Sequence, residues 1–113
     1  MKTVWILERN PELAELIAAA LRRWGYDVDG RGDVGLVICG SRADLLRLRE
    51  LGLRAPALLL SAEEVDGLGE VGRLPKPFDL DELRWETALR LDPPRATGGE
   101  VRRPLRASQG PEA

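Results

Sequence analysis

The chain has 113 residues, a length typical of one domain, and 43% of them are hydrophobic, which is enough for a folded core. The formal net charge of −2 predicts attraction neither to nucleic acid nor to an anionic membrane surface. The chain has no histidine and one cysteine. This composition excludes an internal disulfide, zinc sites of the usual kind, and catalysis by a serine or cysteine paired with histidine.

No segment has the length and apolarity of a membrane span. The longest stretches without charge, residues 34–41 and 55–62, have eight residues each, whereas a transmembrane helix needs about 18. At the start, MKTVWILERNP, only residues 4–7 form an apolar run, which is shorter than the roughly 7 to 15 residues of a secretory signal. We therefore expect a cytoplasmic protein with no membrane contact.

The first predicted elements are a strand and an amphipathic helix. Residues 3–7 are β-branched, aromatic and aliphatic, which is typical of a strand buried on both faces. Asn10 is suited to cap a helix that has Pro11 at its first position. Apolar residues then recur at helical spacing until Gly25, which ends the helix.

Two further strands and a second helix follow. The strand candidates are residues 35–39 and 57–60, both of them apolar. Ser41 is suited to cap a helix between them, because its hydroxyl can accept a backbone N–H of the first turn. One face of this helix is predicted to carry three leucines, namely Leu45, Leu48 and Leu51.

The last part of the domain is predicted less completely. Residues 62–72 fit a short helix or a loop, because each of the three glycines in this segment costs a helix about 1 kcal/mol relative to alanine. A last short strand is expected at residues 73–74. Asp79 and Glu82 form a capping box for a final helix that runs to about residue 91.

Composition changes sharply after residue 92. Proline and glycine make up 7 of the 21 residues from 93 to 113, and apolar periodicity is lost. We expect a folded domain at residues 1–92 and a disordered tail at residues 93–113. Within the domain, the alternation of apolar strands with helices predicts a parallel sheet that is covered by helices on both faces.

Three segments in this order resemble response-regulator receiver domains of two-component signalling: VWILERNPELAELIAAALRRWGYDV, LLLSA and LPKPFDLDEL. The third is the most specific, since it is similar to the Lys-Pro-Phe loop and last helix of receivers. The resemblance covers about residues 2–91. It implies a flavodoxin-like, doubly wound, five-stranded parallel sheet with the strand order 2-1-3-4-5.

The chain departs from a full receiver fold between Tyr26 and Leu36. The nine residues between them are too few for the second strand, the second helix and a loop. We favour a receiver whose second helix is missing and whose fourth helix is short, with one sheet face thinly covered. The alternative is an antiparallel hairpin that turns at residues 29–32.

The resemblance also assigns site residues. Receivers take a phosphoryl group from a histidine kinase onto an aspartate after the third strand, with Mg²⁺ held by that aspartate and an acidic pair after the first strand. Here the acidic pair falls on Glu8 and Arg9, and the phosphoacceptor falls on Gly40, which has no side chain. The hydroxyl and lysine that contact the phosphoryl group fall on Ser61 and Lys76. We therefore expect weak Mg²⁺ binding, no resident metal or cofactor, no enzymatic activity, and an ion pair between Glu8 and Lys76.

Some of these residues and their neighbours have more than one possible role, structural or functional. Ser61 could sense a phosphoryl group or cap the next segment with Glu64 as the third residue of a capping box. Cys39 ends an apolar strand, which favours a buried thiol over a reactive one. Asp33 and Asp44 are the nearest spare carboxylates for a displaced phosphoacceptor.

The function predicted from these residues is a phosphorylation-independent interaction module in bacterial signal transduction. Its partner would be a signalling kinase or effector protein, contacted through Trp85 and Leu89 on the last helix, or a second copy bound through the face that receivers form with their fourth helix, fifth strand and fifth helix. The alternative for Trp85 is that it packs beneath the short fourth-helix region. No direct DNA binding is expected. The alternatives are a phosphotransfer receiver that uses a displaced carboxylate and a domain that binds a small anion or nucleotide at Gly40 and Ser41.

Overall fold

A computed structural model describes residues 2–91, which form a sheet of five parallel strands with the order β2-β1-β3-β4-β5. The strands are β1 (Lys2–Leu7), β2 (Asp27–Val28), β3 (Asp33–Cys39), β4 (Ala57–Leu59) and β5 (Val71–Arg73). The helices are α1 (Pro11–Arg23), α2 (Arg42–Glu50) and α3 (Leu80–Leu91). The flavodoxin-like strand order is confirmed. The predicted tail at residues 93–113 lies outside the described residues.

The first helix begins and ends at the residues that the sequence predicts. The side chain of Asn10 accepts hydrogen bonds from the backbone N–H groups of Glu12 and Leu13, at 3.0 and 3.3 Å, and Pro11 occupies the first helical position. Gly25 follows the helix with a φ of 96°, a conformation that favours glycine. Local capping therefore sets both ends of α1.

Two apolar cores lie on opposite faces of the sheet, because successive residues of a strand point to opposite sides. The larger core joins the sheet to α1 and α3 and includes Val4, Ile17, Leu36 and Leu83. The smaller core joins the sheet to α2 and includes Val37, Cys39, Leu45 and Leu59. The doubly wound arrangement thus places two helices on one face and one on the other.

The connection from β2 to β3 contains no helix, as predicted. Strand β2 pairs in parallel with β1, with Thr3 opposite Asp27, so the hairpin alternative is wrong. The buried hydroxyl of Thr3 accepts a hydrogen bond from the backbone N–H of Gly30 at 2.7 Å and donates to the carbonyl of Asp27 at 3.3 Å. This side chain ties the short crossing to the sheet. The missing helix leaves Trp5 and Val34 only half-buried on the thinly covered face.

Of the two structures that the sequence allowed between β4 and β5, the loop is confirmed and the short helix is wrong. Residues 61–70 form turns and irregular backbone, in which Gly67 and Gly69 have φ values of 80° and 87° that a helix does not allow. The last strand begins at Val71 and not at residue 73, and Leu74 follows it. Gly67 and Gly69, which disfavour a helix, instead allow the chain to turn at these positions.

Arg49 holds this loop in place, a role that the sequence did not reveal. Its side chain is 6% exposed and donates to the carbonyls of Leu68 at 2.6 Å, Ala55 at 2.7 Å and Leu53 at 2.9 Å. Burial lowers the pKa of the guanidinium, and the carbonyl oxygens supply its hydrogen bonds. The predicted leucine face of α2 is therefore interrupted, since Arg49 is buried and Leu51 is 76% exposed.

We predict that Arg49→Met lowers the free energy of unfolding by about 3 kcal/mol, because buried carbonyls left without a donor cost about 1 to 3 kcal/mol each. Arg47→Met is the matched control, since Arg47 is an exposed arginine on the same helix, and it should change stability by less than about 0.5 kcal/mol. Urea denaturation of both variants measures the difference. Equal effects would contradict the role assigned to Arg49.

Candidate functional site

The candidate site lies at the carboxyl edge of the sheet, where the ends of parallel strands meet. Glu8 follows β1, Gly40 follows β3, and Ser61 comes two residues after β4. Lys76 lies in the loop after β5. The fold thus brings to one edge the segments that carry the predicted site residues.

Glu8 and Lys76 form the predicted ion pair. The Nζ atom of Lys76 lies 2.9 Å from Oε1 of Glu8, whose side chain is 5% exposed, whereas that of Lys76 is 42% exposed. The other carboxylate oxygen of Glu8 accepts a hydrogen bond from the backbone N–H of Asn10 at 3.0 Å. The carboxylate is therefore held from two sides and shielded from solvent.

The surroundings of Glu8 favour its ionised form. Burial alone raises the pKa of the carboxyl, but the Asn10 N–H, the Lys76 ammonium and the Arg9 N–H together lower it below the ordinary value of 4.5. Because the pKa of Glu8 is lower in the folded than in the unfolded protein, ionised Glu8 stabilises the fold, and this stabilisation is fully present above the ordinary pKa of 4.5. It is lost as the pH falls through the folded-state pKa.

Gly40 leaves the space that the Glu8 carboxylate occupies. A β-carbon placed on Gly40 would lie 2.6 Å from Oε1 of Glu8, far inside the normal contact distance. The backbone at this point is fixed, since the Gly40 N–H donates to the carbonyl of Leu7 at 2.9 Å. A side chain at position 40 and the observed position of Glu8 therefore exclude each other.

Ser61 binds within its own loop. Its hydroxyl donates to Oε1 of Glu63 at 3.0 Å and accepts the backbone N–H of Glu63 at 3.1 Å. The capping box with Glu64 is wrong, because no helix follows and the partner is Glu63. Ser61 is engaged in a turn through these two hydrogen bonds.

The carboxylate of Glu63 also covers the start of α2, which the sequence did not reveal. Its Oε1 accepts the backbone N–H of Arg42 at 2.8 Å. This N–H, the Ser61 hydroxyl and the Arg42 charge lower the pKa of the Glu63 carboxyl against a small effect of burial. The helix N-terminus after Gly40 and Ser41 is the position suggested for an external anion, and a carboxylate of the chain itself lies there.

Arg9 turns away from the ion pair. Its guanidinium lies 3.3 Å from the carboxylate of Asp44, with side-chain exposures of 83% and 19% respectively. This contact joins the loop after β1 to the first turn of α2 and engages one of the two spare carboxylates. The other, Asp33, begins β3 and lies at the opposite edge of the sheet.

The residues at this edge do not fit a magnesium site. Mg²⁺ prefers several oxygen ligands, often carboxylates, whereas Glu8 is paired with Lys76 and Arg9 brings a positive charge. Within residues 2–91, no group of three or more Cys, Asp or Glu side chains is arranged to hold a metal ion. Cys39 is fully buried, and burial, reinforced by the Asp44 carboxylate, raises the pKa of its thiol to about 12 against the opposing charge of Arg49.

The predicted interaction residues lie on α3. Trp85 and Leu89 are half-buried and one turn apart, so they share a side of the helix. Next to them, Arg90 pairs with Glu86 at 2.6 Å. The guanidinium of Arg90 lies against Gly72 of β5, where a β-carbon would collide with it. This packing fixes α3 against the edge strand.

We predict that Gly40→Ala lowers the free energy of unfolding by about 1 to 3 kcal/mol, because the new methyl group must displace the buried Glu8 carboxylate. In the Glu8→Ala background the same change should be neutral or stabilise by up to about 1 kcal/mol, since the space is then empty. Denaturant unfolding of the four proteins in this cycle gives the coupling energy. An equal cost of Gly40→Ala in both backgrounds would contradict the arrangement.

No helix among residues 2–91 is long and apolar enough to cross a membrane. The chain matches no family model, no curated protein and no solved structure. The relation to receiver domains therefore stays a prediction, which depends on the order of the sequence motifs. The strand order of the sheet is confirmed and is consistent with that prediction.

Proposed function

We propose that the protein is a receiver-like interaction module of bacterial signal transduction, acting in the cytoplasm and switched by partner binding instead of phosphorylation. The observation that carries this proposal is the ion pair between Glu8 and Lys76 above Gly40. It occupies the edge of the sheet at which a receiver is phosphorylated.

At this edge a phosphoryl group would meet no side chain at the position of a receiver's acceptor, and the expected lysine is already paired. Gly40 offers no nucleophile, and the Lys76 ammonium that would bind the phosphoryl oxygens is paired with the Glu8 carboxylate at 2.9 Å. A phosphoryl group would have to separate this pair and leave the Glu8 carboxylate buried without its cation, which is costly. The arrangement favours one stable state of the site.

The surface proposed for the partner is the side of α3 that carries Trp85 and Leu89, together with β5 and the loop of residues 61–70. Trp85 is half-buried, so part of its apolar area is available to a partner, and tryptophan is among the residue types that contribute most to protein interfaces. The partner that we propose is a signalling kinase or effector protein. No observation on the described residues favours the displaced phosphoacceptor or the small anionic ligand, so both become outcomes of the experiment.

The first test of the function is incubation with acetyl phosphate and Mg²⁺, followed by intact-mass measurement. We expect no gain of about 80 Da, the mass of one phosphoryl group. A stoichiometric gain would establish a displaced acceptor and contradict the proposal. Thermal stability should also stay unchanged with nucleotides and cyclic dinucleotides, whereas a rise would favour the ligand-binding alternative.

The second part of the test uses a kinase or effector that lacks a receiver of its own and is encoded beside this chain. We expect binding without any phosphate donor, and a rise of about 30-fold in its Kd for Trp85→Ala, as is typical of a tryptophan at the centre of an interface. Leu51→Ala is the control, because Leu51 is exposed at the end of α2. Binding that requires acetyl phosphate would contradict the proposal.

A further inference from the structure

The outer face of α1 carries a stripe that no part of the proposed function uses. Glu12, Leu16, Ala19 and Arg23 follow one another at intervals of four, three and four residues, so they lie on one side of the helix. All four are exposed, and Leu16 is 51% exposed. We call these four residues the α1 stripe.

The α1 stripe borders an apolar groove between α1 and α3. The groove encloses about 270 Å³ and is lined by Leu16, Ala19, Ala20, Arg23, Trp24 and Leu80. Leu80 is 39% exposed, and within residues 2–91 only Leu51 joins Leu16 and Leu80 as a strongly exposed large hydrophobic residue. Two of these three exposed leucines therefore meet at one place, which is characteristic of an interaction surface.

The charges of the α1 stripe have no ion-pair partner in the described part of the chain. The three ion pairs among residues 2–91 are Arg9 with Asp44, Lys76 with Glu8, and Arg90 with Glu86. Neither Glu12 nor Arg23 takes part in them. Their positions at the two ends of the helix suit its dipole, but the dipole does not account for the exposed leucines between them.

The charge and size of the residues in the α1 stripe are complementary to those of a second α1 stripe that runs in the opposite direction. When two copies of α1 pair in antiparallel orientation about a centre between positions 17 and 18, Glu12 lies opposite Arg23 of the other copy. Leu16 then lies opposite Ala19, so a large side chain meets a small one. A two-fold axis repeats each contact, which gives two ion pairs and two apolar contacts.

We infer that the partner of the α1 stripe is a second copy of this chain, bound through antiparallel α1 helices with Leu80 at the border of the interface. Trp85 and Leu89 lie about 100° to 140° around α3 from Arg84, which stacks over the Trp24 ring beside the groove at 5.6 Å. The homodimer therefore uses a different surface from the one proposed for the signalling partner, and it stands independently of that proposal.

Sedimentation velocity of the full chain and of Leu16→Glu tests the interface. We expect a dimer for the unaltered chain and a monomer for the variant, because the new carboxylates would lie in the apolar centre. Leu51→Glu is the control and should remain a dimer, since Leu51 is the most exposed leucine among residues 2–91 but lies at the end of α2. A chain that is monomeric over a wide range of concentrations would overturn the inference, as would a dimer that Leu16→Glu leaves intact.

Charge reversal tests the antiparallel geometry. Glu12→Arg and Arg23→Glu should each raise the dimer dissociation constant about tenfold, because each places like charges opposite one another twice. The double variant Glu12→Arg/Arg23→Glu should restore dimerisation. If the double variant dissociates more than either single variant, the pairing of these residues is wrong. Circular dichroism of each variant checks that α1 is still folded.

Discussion

The buried carboxylate of Glu8 is the group on which the carboxyl edge of the sheet depends. It is 5% exposed, and a buried carboxylate is stable only when it is paired and hydrogen-bonded. Lys76 and the Asn10 N–H meet these needs, and the missing side chain at Gly40 gives the carboxylate its space. Gly40 thus creates the space for the ion pair. In our proposal the same glycine replaces the phosphoacceptor of a receiver, so that a phosphorylation site has become a fixed structural contact.

On the thinly covered face of the sheet, the hydrogen bonds of one side chain organise segments that form no helix. No helix lies between β2 and β3, and the segment before β5, for which the sequence allowed a short helix or a loop, is a loop. The buried guanidinium of Arg49 binds carbonyl groups of this loop and of the loop that precedes β4. Hydrogen bonds from one arginine therefore organise backbone that a helix would have satisfied internally.

The parts of the fold that local patterns determine could be predicted from the sequence. Asn10 and Pro11 mark the start of α1, and the nine residues between Tyr26 and Leu36 are too few for another helix. The pair of Glu8 with Lys76 was also predictable, because parallel strand ends share an edge and the resemblance supplied the positions. These predictions depend on spacing and topology more than on side-chain detail.

The sequence did not predict two kinds of side-chain contact. In one kind the partner is a backbone group far away in the chain, and in the other two neighbouring residues could each make the contact. Arg49 has the spacing of an ordinary exposed arginine, and its acceptors are loop carbonyls that leave no residue pattern. Glu63 and Glu64 are equivalent by composition, and the choice of Glu63 as partner of Ser61 and Arg42 depends on a turn that only the folded chain defines. These contacts are set by the path of the backbone, and the backbone groups that take part are the same in every residue, so no residue pattern predicts them.

The pH titration of the Glu8 side-chain carboxyl by carbon-13 NMR tests the central claim most directly. We expect a Glu8 pKa below 4.5 in the unaltered chain and a higher pKa in Lys76→Met, where the carboxylate is buried without the ammonium. Lys2→Met, which changes the other lysine at the opposite edge of the sheet, should leave the titration unchanged. A Glu8 pKa at or above 4.5 that is insensitive to Lys76→Met would contradict the account.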